Sequence, residues 1–456
     1  MTTPAPTTTP TPERVQHPSA FAVPAFRRLW AAGVVSDSGD WLLFIALPLV
    51  VLQLSGSALT TSIAFLLELL PPIVLAPFVA RLVGRVDRKR LMVAVNIVQA
   101  CCLAPLLLVE TSAQLPIVYG VIVAQAACSA VFEPAKNSLL PDLVDADRIV
   151  SANAFVGLGQ DIGRLVGGPL GGVLLAVGHL QLVAAADLVT YVGSAILLAT
   201  VPSVASDPAA PRGDRRRRAR SSGHDRRRAA ASVAGPSRAS RPSVPTDHVP
   251  AAAPPARPHG VLRALGASAT RGPFLVLFVA SIAQGLFVVL FVFFVTDSIG
   301  GNDADVGLLR GVQAVGAIAA GGVLALAASR FPVAKVAIVG VSGFAVLTLV
   351  VWNLSYATHA LWPYVLLFAL VGAPGVLIGT GLTSLLQRVT TSASRGAVFS
   401  ALGLVVAVGQ AIGMLTAGTL QDVVGTMPLL EVQAGAYVVA AVIAAVMLPR
   451  VERAHG

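Results

Sequence analysis

Charge is scarce in this chain of 456 residues. Charged residues make up 12% of the sequence and hydrophobic residues 55%, and the mean hydropathy is +0.79. A soluble globular protein carries about a quarter of charged residues, so this composition excludes that class. The balance instead predicts an all-α polytopic membrane protein.

Cysteine and histidine, which could serve in disulfides, metal sites or proton relays, are also rare. The three cysteines lie in apolar segments, and the adjacent Cys101 and Cys102 are poorly placed to bridge, so no disulfide framework or metal site is expected. The seven histidines fall in tails or between apolar segments, which leaves no histidine proton relay inside the membrane. There is no P-loop and no nucleophile–base constellation, so we expect neither an enzyme, nor ATP-driven pumping, nor a cofactor.

Hydrophobic segments long enough to span a membrane recur twelve times along the chain. They lie near residues 29–54, 58–82, 91–110, 115–136, 151–178, 180–201, 274–296, 305–329, 333–353, 360–386, 396–421 and 428–449. The predicted organisation is a disordered tail (1–25), a six-helix bundle (26–202), an Arg/Pro-rich linker (203–271), a second six-helix bundle (272–450) and a tail (451–456).

The positive charges predict the orientation of these spans. If the N-terminus is cytoplasmic, 30 of the 32 lysines and arginines fall in cytoplasmic segments. The two exceptions are Arg164, inside a span, and Arg310, near an outer end. We therefore expect a multi-pass protein of the plasma membrane with both termini and the linker in the cytoplasm. The linker is expected to be a solvated tether; contact with anionic lipid headgroups stays open, and nucleic-acid binding is not expected.

A repeated pattern predicts that the two bundles are homologous. Two segments 250 residues apart share the pattern Gly-Gln-x-Ile-Gly-x-Leu, at residues 159–165 and 409–415. Such a repeat is typical of transporters built from two copies of one bundle. The second copy has Ala411 and Met414 where the first has Asp161 and Arg164, so only one half kept its charges.

Glycines form a ridge along the fifth span. Four of them, spaced four residues apart, lie on one face of a helix and allow a neighbouring helix to approach closely: Gly159, Gly163, Gly167 and Gly171. Pro169 is expected to bend this helix.

Five ionisable residues of the N-terminal half fall near the middle of a hydrocarbon core about 30 Å thick. They are Asp37, Asp40, Glu68, Asp161 and Arg164. Four carboxylates and one arginine cannot all be comfortably ionised there, and a carboxyl group that gains and loses a proton is what proton coupling needs. Asp187 is expected to be interfacial, and the C-terminal spans contain no comparable cluster.

The same charges allow purely structural interpretations. Asp161 and Arg164, three residues apart on one helix face, are expected to form an ion pair, which can be structural or can act in transport. Asp37 and Asp40 can instead face water at the cytoplasmic mouth, and Glu68 can bond to a neighbouring helix.

A candidate substrate cavity is predicted from the aromatic residues of the seventh span. Phe287 and Phe291, with Gln284 one turn earlier, can line an apolar cavity for a hydrophobic substrate, together with Trp41 of the first span. The same aromatic stripe can also face lipid or the core.

With two six-helix halves and a long basic central loop, the chain resembles the major facilitator superfamily. Gly168-Pro169-Leu-Gly171-Gly172 looks like the end of the motif of the family's antiporters. The loop of residues 80–90 is similar to the family's signature loop. Arg85, Arg88 and Lys89 match that signature, whereas Ala80, Gly84 and Asp87 depart from it.

Further matches resemble one branch of drug:proton antiporters, which contains the enterobactin exporter and macrolide efflux pumps. The matching segments are residues 26–41, 132–141, 152–154 and 387–399. The resemblance implies a monomeric, proton-driven exporter of amphipathic small molecules, such as drugs or siderophore-like compounds, working by alternating access. An importer, a lipid flippase or a non-transporting membrane sensor on the same fold stays open.

The resemblance also implies an inner gate. In family members, the arginine matched by Arg88 pairs with an acidic residue on the fourth span, and Glu133 is the expected partner. Arg85, Asp87 and Lys89 complete the expected gating set. Alternatively, Glu133 is a helix-end charge of no special role.

Overall fold

The computed structural model describes residues 19–202, 264–327 and 331–455. Across these ranges, eleven helices are long and apolar enough to cross a membrane, and no strand is present. Their α-helical parts are α1 (Pro24–Ser55), α2 (Ala58–Arg85), α3 (Arg88–Leu103), α4 (Leu115–Leu143), α5 (Ile149–Ala199), α6 (Ser268–Phe293), α7 (Asp303–Ala327), α8 (Val333–Leu354), α9 (Leu361–Val389), α10 (Ser392–Val424) and α11 (Thr426–His455). The third span extends beyond α3 through a short 3₁₀ helix, Ala104–Leu108.

The 51-residue helix α5 contains two spans. Its backbone leaves the helical region at His179, with φ 57° and ψ −171°. Both sides of this break contact the same part of α1, because Gly163 packs on Asp37 and the Tyr191 hydroxyl bonds to Asp40. The chain therefore folds back at His179, and the predicted boundary between the fifth and sixth spans is confirmed. Helices α6 to α11 are the seventh to twelfth spans.

The predicted tails and linker are only partly covered by these ranges. Residues 19–25 belong to the predicted tail, yet Ala20 is fully buried and its N–H donates to Ser151 Oγ (3.2 Å). At the other end, α11 continues to His455 through the predicted second tail. The arginine clusters of the linker, and the lipid contacts considered for them, lie outside the described residues.

The predicted glycine ridge is confirmed as a close contact between α5 and α1. A Cβ atom on Gly167 would lie 2.2 Å from the carbonyl oxygen of Ser38, so only glycine fits at this distance. The second half repeats this packing between α10 and α6, where a Cβ on Gly413 would lie 2.2 Å from the carbonyl oxygen of Ile282. The same glycine pattern thus builds the same helix pair in both halves.

A second set of glycines lies between the two halves. The backbone at Gly168 and Gly172 packs directly on that of Gly307 and Gly311 in α7. The antiporter-like motif on α5 therefore has two glycine faces, one packed against its own half and the other against the opposite half.

The two halves are joined on one side of the bundle. We call the side on which α1 begins the inner side and the opposite side the outer side. On the inner side, Trp30 Nε1 forms a bond within the N-terminal half, to the carbonyl of Phe155 near the start of α5 (2.7 Å). On the outer side, Gln53 Nε2 donates to Asp303 Oδ2 at the start of α7 (2.9 Å). In the described parts of the chain, the identified hydrogen bonds between the halves lie at this level or at the middle of the spans.

Candidate functional site

A cavity of about 300 Å³ lies within the N-terminal half, between α1, α2, α4 and the second span of α5. Its walls are mostly aliphatic and aromatic. The polar groups that reach it are Asp40, Glu68, Gln125, Ser129 and Tyr191. Two carboxylates predicted from the sequence, Asp40 and Glu68, are thus brought to one apolar cavity.

A hydrogen-bond network holds Asp40 at the wall of this cavity. The Tyr191 hydroxyl donates to Asp40 Oδ1 (2.6 Å) and accepts from Gln99 Nε2 (3.2 Å). Gln99 is also tied to α4, since its carbonyl accepts from Gln125 Nε2 (3.1 Å). Connected buried hydrogen bonds of this kind fix the position of an acidic side chain.

Asp187 is fully buried, which corrects the expectation that it is interfacial. It lies on the second span of α5 and packs on Gly39 of α1, and the Thr190 hydroxyl donates to its Oδ1 (2.7 Å). Because Gly39 adjoins Asp40, Asp187 lies at the level of the predicted acidic residues and not at the outer face.

A second charged cluster lies on the inner side of the cavity and centres on Lys136. Its Nζ lies 2.5 Å from Glu133 Oε1 and 3.6 Å from Asp37 Oδ1, with the lysine side chain only 4% exposed. Gln160 Nε2 reaches the other oxygen of Glu133 (3.5 Å). Lys136 was missed as a site residue because the sequence placed it at the end of the fourth span, whereas α4 continues to Leu143.

Arg88 is not paired with Glu133 in this structure, although the sequence predicts that pair. Arg88 Nη1 instead bonds to Asp142 Oδ2, while Glu133 bonds to Lys136. Glu133 lies about 13.5 Å before Asp142 along α4 and is therefore too deep in the bundle to reach the start of α3. The extra length of α4 therefore decides which acid meets Arg88.

Two of the other predicted gating residues, Asp87 and Lys89, have structural contacts on the inner side. Asp87 caps α3, because its Oδ1 accepts from the N–H of Arg90 (2.8 Å). Lys89 Nζ donates to the carbonyl of Ala199 at the end of α5 (2.8 Å). Arg85 is exposed in the last turn of α2.

The predicted ion pair between Asp161 and Arg164 is also wrong. Arg164 turns toward the opposite half, where its Nη2 donates to Gln313 Oε1 and its Nε donates to the carbonyl of Arg310 (3.3 Å). Its guanidinium lies over the ring of Trp41, 5.0 Å from the centroid. Arg164 therefore links the two halves at mid-membrane level.

Arg310 is a buried charge that the sequence placed near an outer end. It is 5% exposed, and its guanidinium lies 4.8 Å from the ring centroid of Phe287, 5.5 Å from that of Phe44 and 5.8 Å from that of Phe291. Arg310 adds one buried charge to the C-terminal half but does not form a cluster comparable to that of the N-terminal half. Its position in a predicted span was the signal that could have identified it.

The predicted aromatic residues of the seventh span do not line the cavity that contains Asp40 and Glu68. Phe287 and Phe291 are buried among other rings of the C-terminal half, and Phe287 borders only a void of about 10 Å³. Gln284 accepts a hydrogen bond from the Tyr437 hydroxyl (3.3 Å). Trp41 lies under Arg164. Trp41, Phe287 and Phe291 thus lie beside Arg164 or Arg310 at the contact between the halves, and not at the cavity inside the N-terminal half.

Two homologous helical bundles, joined across the membrane and enclosing charged groups, define the architecture of a secondary transporter. The sequence model of the Major Facilitator Superfamily matches residues 29–261 and 273–456. The chain belongs to this superfamily and is a membrane transporter.

Sequence relatives are similar over less than half of their length. Macrolide efflux protein A of Streptococcus pyogenes is 29% identical over 178 residues, which cover 39% of this chain and 44% of that protein. The uncharacterized MFS-type transporter YfiS of Bacillus subtilis is 31% identical over 175 residues, which cover 38% of this chain and 41% of that protein.

Solved structures match the fold over almost the whole chain. A bacterial homologue of the iron transporter ferroportin, in an inward-facing state, has a TM-score of 0.67 at 15% identity and covers 94% of this chain and 99% of its own. A bacterial homologue of the human lysosomal transporter Spinster, in an inward-facing and unoccupied conformation, has a TM-score of 0.62 at 14% identity. The match covers 94% of this chain and 97% of that protein.

Proposed function

We propose that this chain is a proton-coupled exporter of amphipathic small molecules that works by alternating access between its two halves. The proton gradient is its energy source, and the inner side of the bundle faces the cytoplasm. The observation that carries the proposal is the placement of Asp40 and Glu68 on one apolar cavity in the N-terminal half.

The chemistry of this cavity suits proton binding. A charged carboxylate is costly in an apolar environment at membrane depth, so each acid is stabilised either by a proton or by hydrogen bonds and a counter-charge. Asp40 accepts from Tyr191, whereas Glu68 makes none of the hydrogen bonds or ion pairs identified among the described residues. Glu68 is therefore our preferred carrier of the coupled proton, with Asp40 as its neighbour.

The Lys136 cluster provides a route between these acids and the inner side. Asp37 lies one helical turn from Asp40 on α1, and Lys136 bridges Asp37 to Glu133. A lysine between two carboxylates can exchange partners as a proton arrives or leaves. We infer that protons released from the cavity leave through this cluster.

The direction of transport is inferred from the relatives. Of the two sequence relatives described above, one is named as an uncharacterized transporter and the other is named for macrolide efflux. The positive charges at the inner ends of the helices favour a cytoplasmic inner side. An apolar cavity of about 300 Å³ suits the apolar part of an amphipathic molecule.

Purified protein in liposomes tests the proposal directly. The liposome lumen is made acidic, and a panel of dyes and antibiotics is added outside. Uptake then reports on those protein molecules that are inserted with their inner side facing the external solution. We expect uptake that requires the pH gradient and disappears when a protonophore collapses it. Transport that ignores the gradient for every compound contradicts proton coupling. Transport of no compound at all favours an importer, a lipid flippase or a sensor.

A further inference from the structure

Two arginines, one from each half, lie side by side at the contact between the halves. Arg164 Nε donates to the backbone carbonyl of Arg310 (3.3 Å), so the two residues are direct neighbours. Their guanidinium groups lie over the rings of Trp41 and Phe44, whose centroids are 4.8 Å apart. Two like charges at this depth repel each other and need a compensating interaction.

That compensation is incomplete among the described residues. None of the identified ion pairs joins either guanidinium to a carboxylate, although Asp161 lies within electrostatic range of Arg164 and Glu68 within range of Arg310. Contacts with aromatic rings stabilise a cation, but they supply no hydrogen-bond acceptor. The site therefore has more positive charge than its bonded partners balance.

Hydrogen-bond donors are also left without acceptors at this level. Arg310 is 5% exposed, and its buried Nη1 has no hydrogen-bond partner among the described residues. Nε2 of the adjacent Gln313, a 4% exposed residue, is likewise without one, while its Oε1 accepts from Arg164. A buried donor without an acceptor costs free energy, and a ligand with several acceptor oxygens removes that cost.

We propose that Arg164 and Arg310 bind an anionic group of the transported molecule, so that this transporter carries amphipathic anions. This inference rests on the proposed function and deepens it by naming the substrate class. Guanidinium groups bind carboxylate, sulfonate and phosphate through charge-assisted hydrogen bonds, often with two parallel bonds. The rings of Phe44 and Phe287 beside Arg310 suit the apolar body of such a molecule.

The location of the site explains how it can take part in transport. Phe44 contacts Arg310 and also lines the cavity of the N-terminal half, together with Glu68. Arg164 and Arg310 come from opposite halves, so a bound anion bridges the two bodies that move in alternating access. Binding there thus depends on the relative position of the halves.

Binding is tested with three small probes that share one aromatic body. Naphthalene-2-carboxylate is an anion, naphthalene-2-carboxamide is neutral, and 2-naphthylmethylammonium is a cation. Each is titrated into the purified full-length protein in detergent and followed by isothermal titration calorimetry, without any proton gradient. We expect the carboxylate to bind at least about tenfold more tightly than the carboxamide.

Substitutions then locate the preference. Arg310→Gln and Arg164→Gln should each lower the affinity for the carboxylate at least about tenfold and leave that for the carboxamide unchanged. Arg271→Gln, which removes an exposed arginine of α6, is the matched control and should change neither. Arg310→Lys keeps the charge but loses the planar guanidinium group, so it should retain a smaller preference for the carboxylate over the carboxamide. This variant replaces Arg310→Gln in the test if the latter does not fold.

Several outcomes overturn the proposal. It is wrong if the three probes bind equally, if the ammonium probe binds best, if the carboxylate does not bind to the wild-type protein, or if the preference survives both glutamine substitutions. A lipid headgroup is the other source of this chemistry. It would be indicated if phosphatidylglycerol in nanodiscs, compared with phosphatidylcholine, stabilised the wild-type protein but not Arg310→Gln while the carboxylate probe had no effect. Because no gradient is applied, a failure of proton coupling is detected separately in the liposome assay.

Discussion

The two halves share their helix packing but differ in their buried charges. In both, a glycine-rich helix packs closely on the first helix of its half, through Gly163 and Gly167 in one and Gly413 in the other. The charged residues next to these glycines exist only in the N-terminal half, and Met414, the counterpart of Arg164, is a buried apolar side chain. The close helix packing is thus present in both halves, whereas the charged residues beside it are present in one half.

The C-terminal half contributes a single arginine to this comparison. Arg310 comes from α7, the second helix of that half. It contacts Arg164 and does not form a second cluster. The N-terminal half in turn supplies Asp37, Asp40, Glu68 and Lys136. We interpret this asymmetry as a division of tasks, in which one half binds protons and both halves bind the substrate.

The largest effect is expected from neutralising the acids of the N-terminal cavity. Asp40→Asn and Glu68→Gln should abolish pH-driven transport and leave substrate binding in place, because the neutral side chains cannot exchange a proton. Liposome uptake under an imposed pH gradient measures the first effect and calorimetry the second. Asp145→Asn, which neutralises an acid whose side chain is 83% exposed, is the control. Wild-type rates with unchanged pH dependence in both cavity variants would refute the assignment.

Substitution of a ridge glycine should destabilise the protein to a similar extent in either half. Gly167→Ala and Gly413→Ala each place a methyl group 2.2 Å from a backbone oxygen, so the helices must separate. We expect a loss of about 1–3 kcal/mol in each case, measured as resistance of the purified protein to unfolding. Gly157→Ala and Gly403→Ala are matched controls, since a methyl group at either position meets open space. A stable Gly413→Ala variant would show that the second ridge is not equivalent to the first.

Arg164→Met copies the C-terminal half and should weaken the contact between the halves. The variant loses the bonds to Gln313 and to the carbonyl of Arg310, and hydrogen bonds from a charged group contribute about 1.5–3 kcal/mol. We expect this loss to outweigh the relief of repulsion between Arg164 and Arg310. The outer side should therefore open more often, as measured by spin-label distances across it. Asp161→Ala copies the same half but removes none of these bonds, so its distances should remain close to wild type. Equal shifts in both variants would contradict the corrected position of Arg164.

The smallest effect concerns the inner side. Asp142 and Arg88 are about one quarter exposed, so their pair should contribute about 1 kcal/mol or less. A double-mutant cycle of Asp142→Asn with Arg88→Gln should give a coupling energy of that size in unfolding experiments. The cycle of Glu133→Gln with Arg88→Gln should give none. Coupling to Glu133 instead of Asp142 would restore the pairing expected from the sequence.

Hydrophobicity and helical periodicity are local properties, and the features that depend on them were predictable from the sequence. The spans, their division into two halves and the glycine ridge are of this kind. Even the break at His179 falls between two predicted spans. These predictions needed no knowledge of which helices are neighbours.

Charge partners depend on depth and rotation, which only the tertiary structure decides. Each residue advances a helix by about 1.5 Å and turns it by about 100°, so a few residues of error in a helix end change the neighbour of a side chain. For that reason α4, which continues to Leu143, brings Asp142 to Arg88 and buries Lys136 beside Asp37. The meeting of Arg164 and Arg310 depends in addition on how the two halves pack, because α5 and α7 approach closely where their glycines lie at the contact.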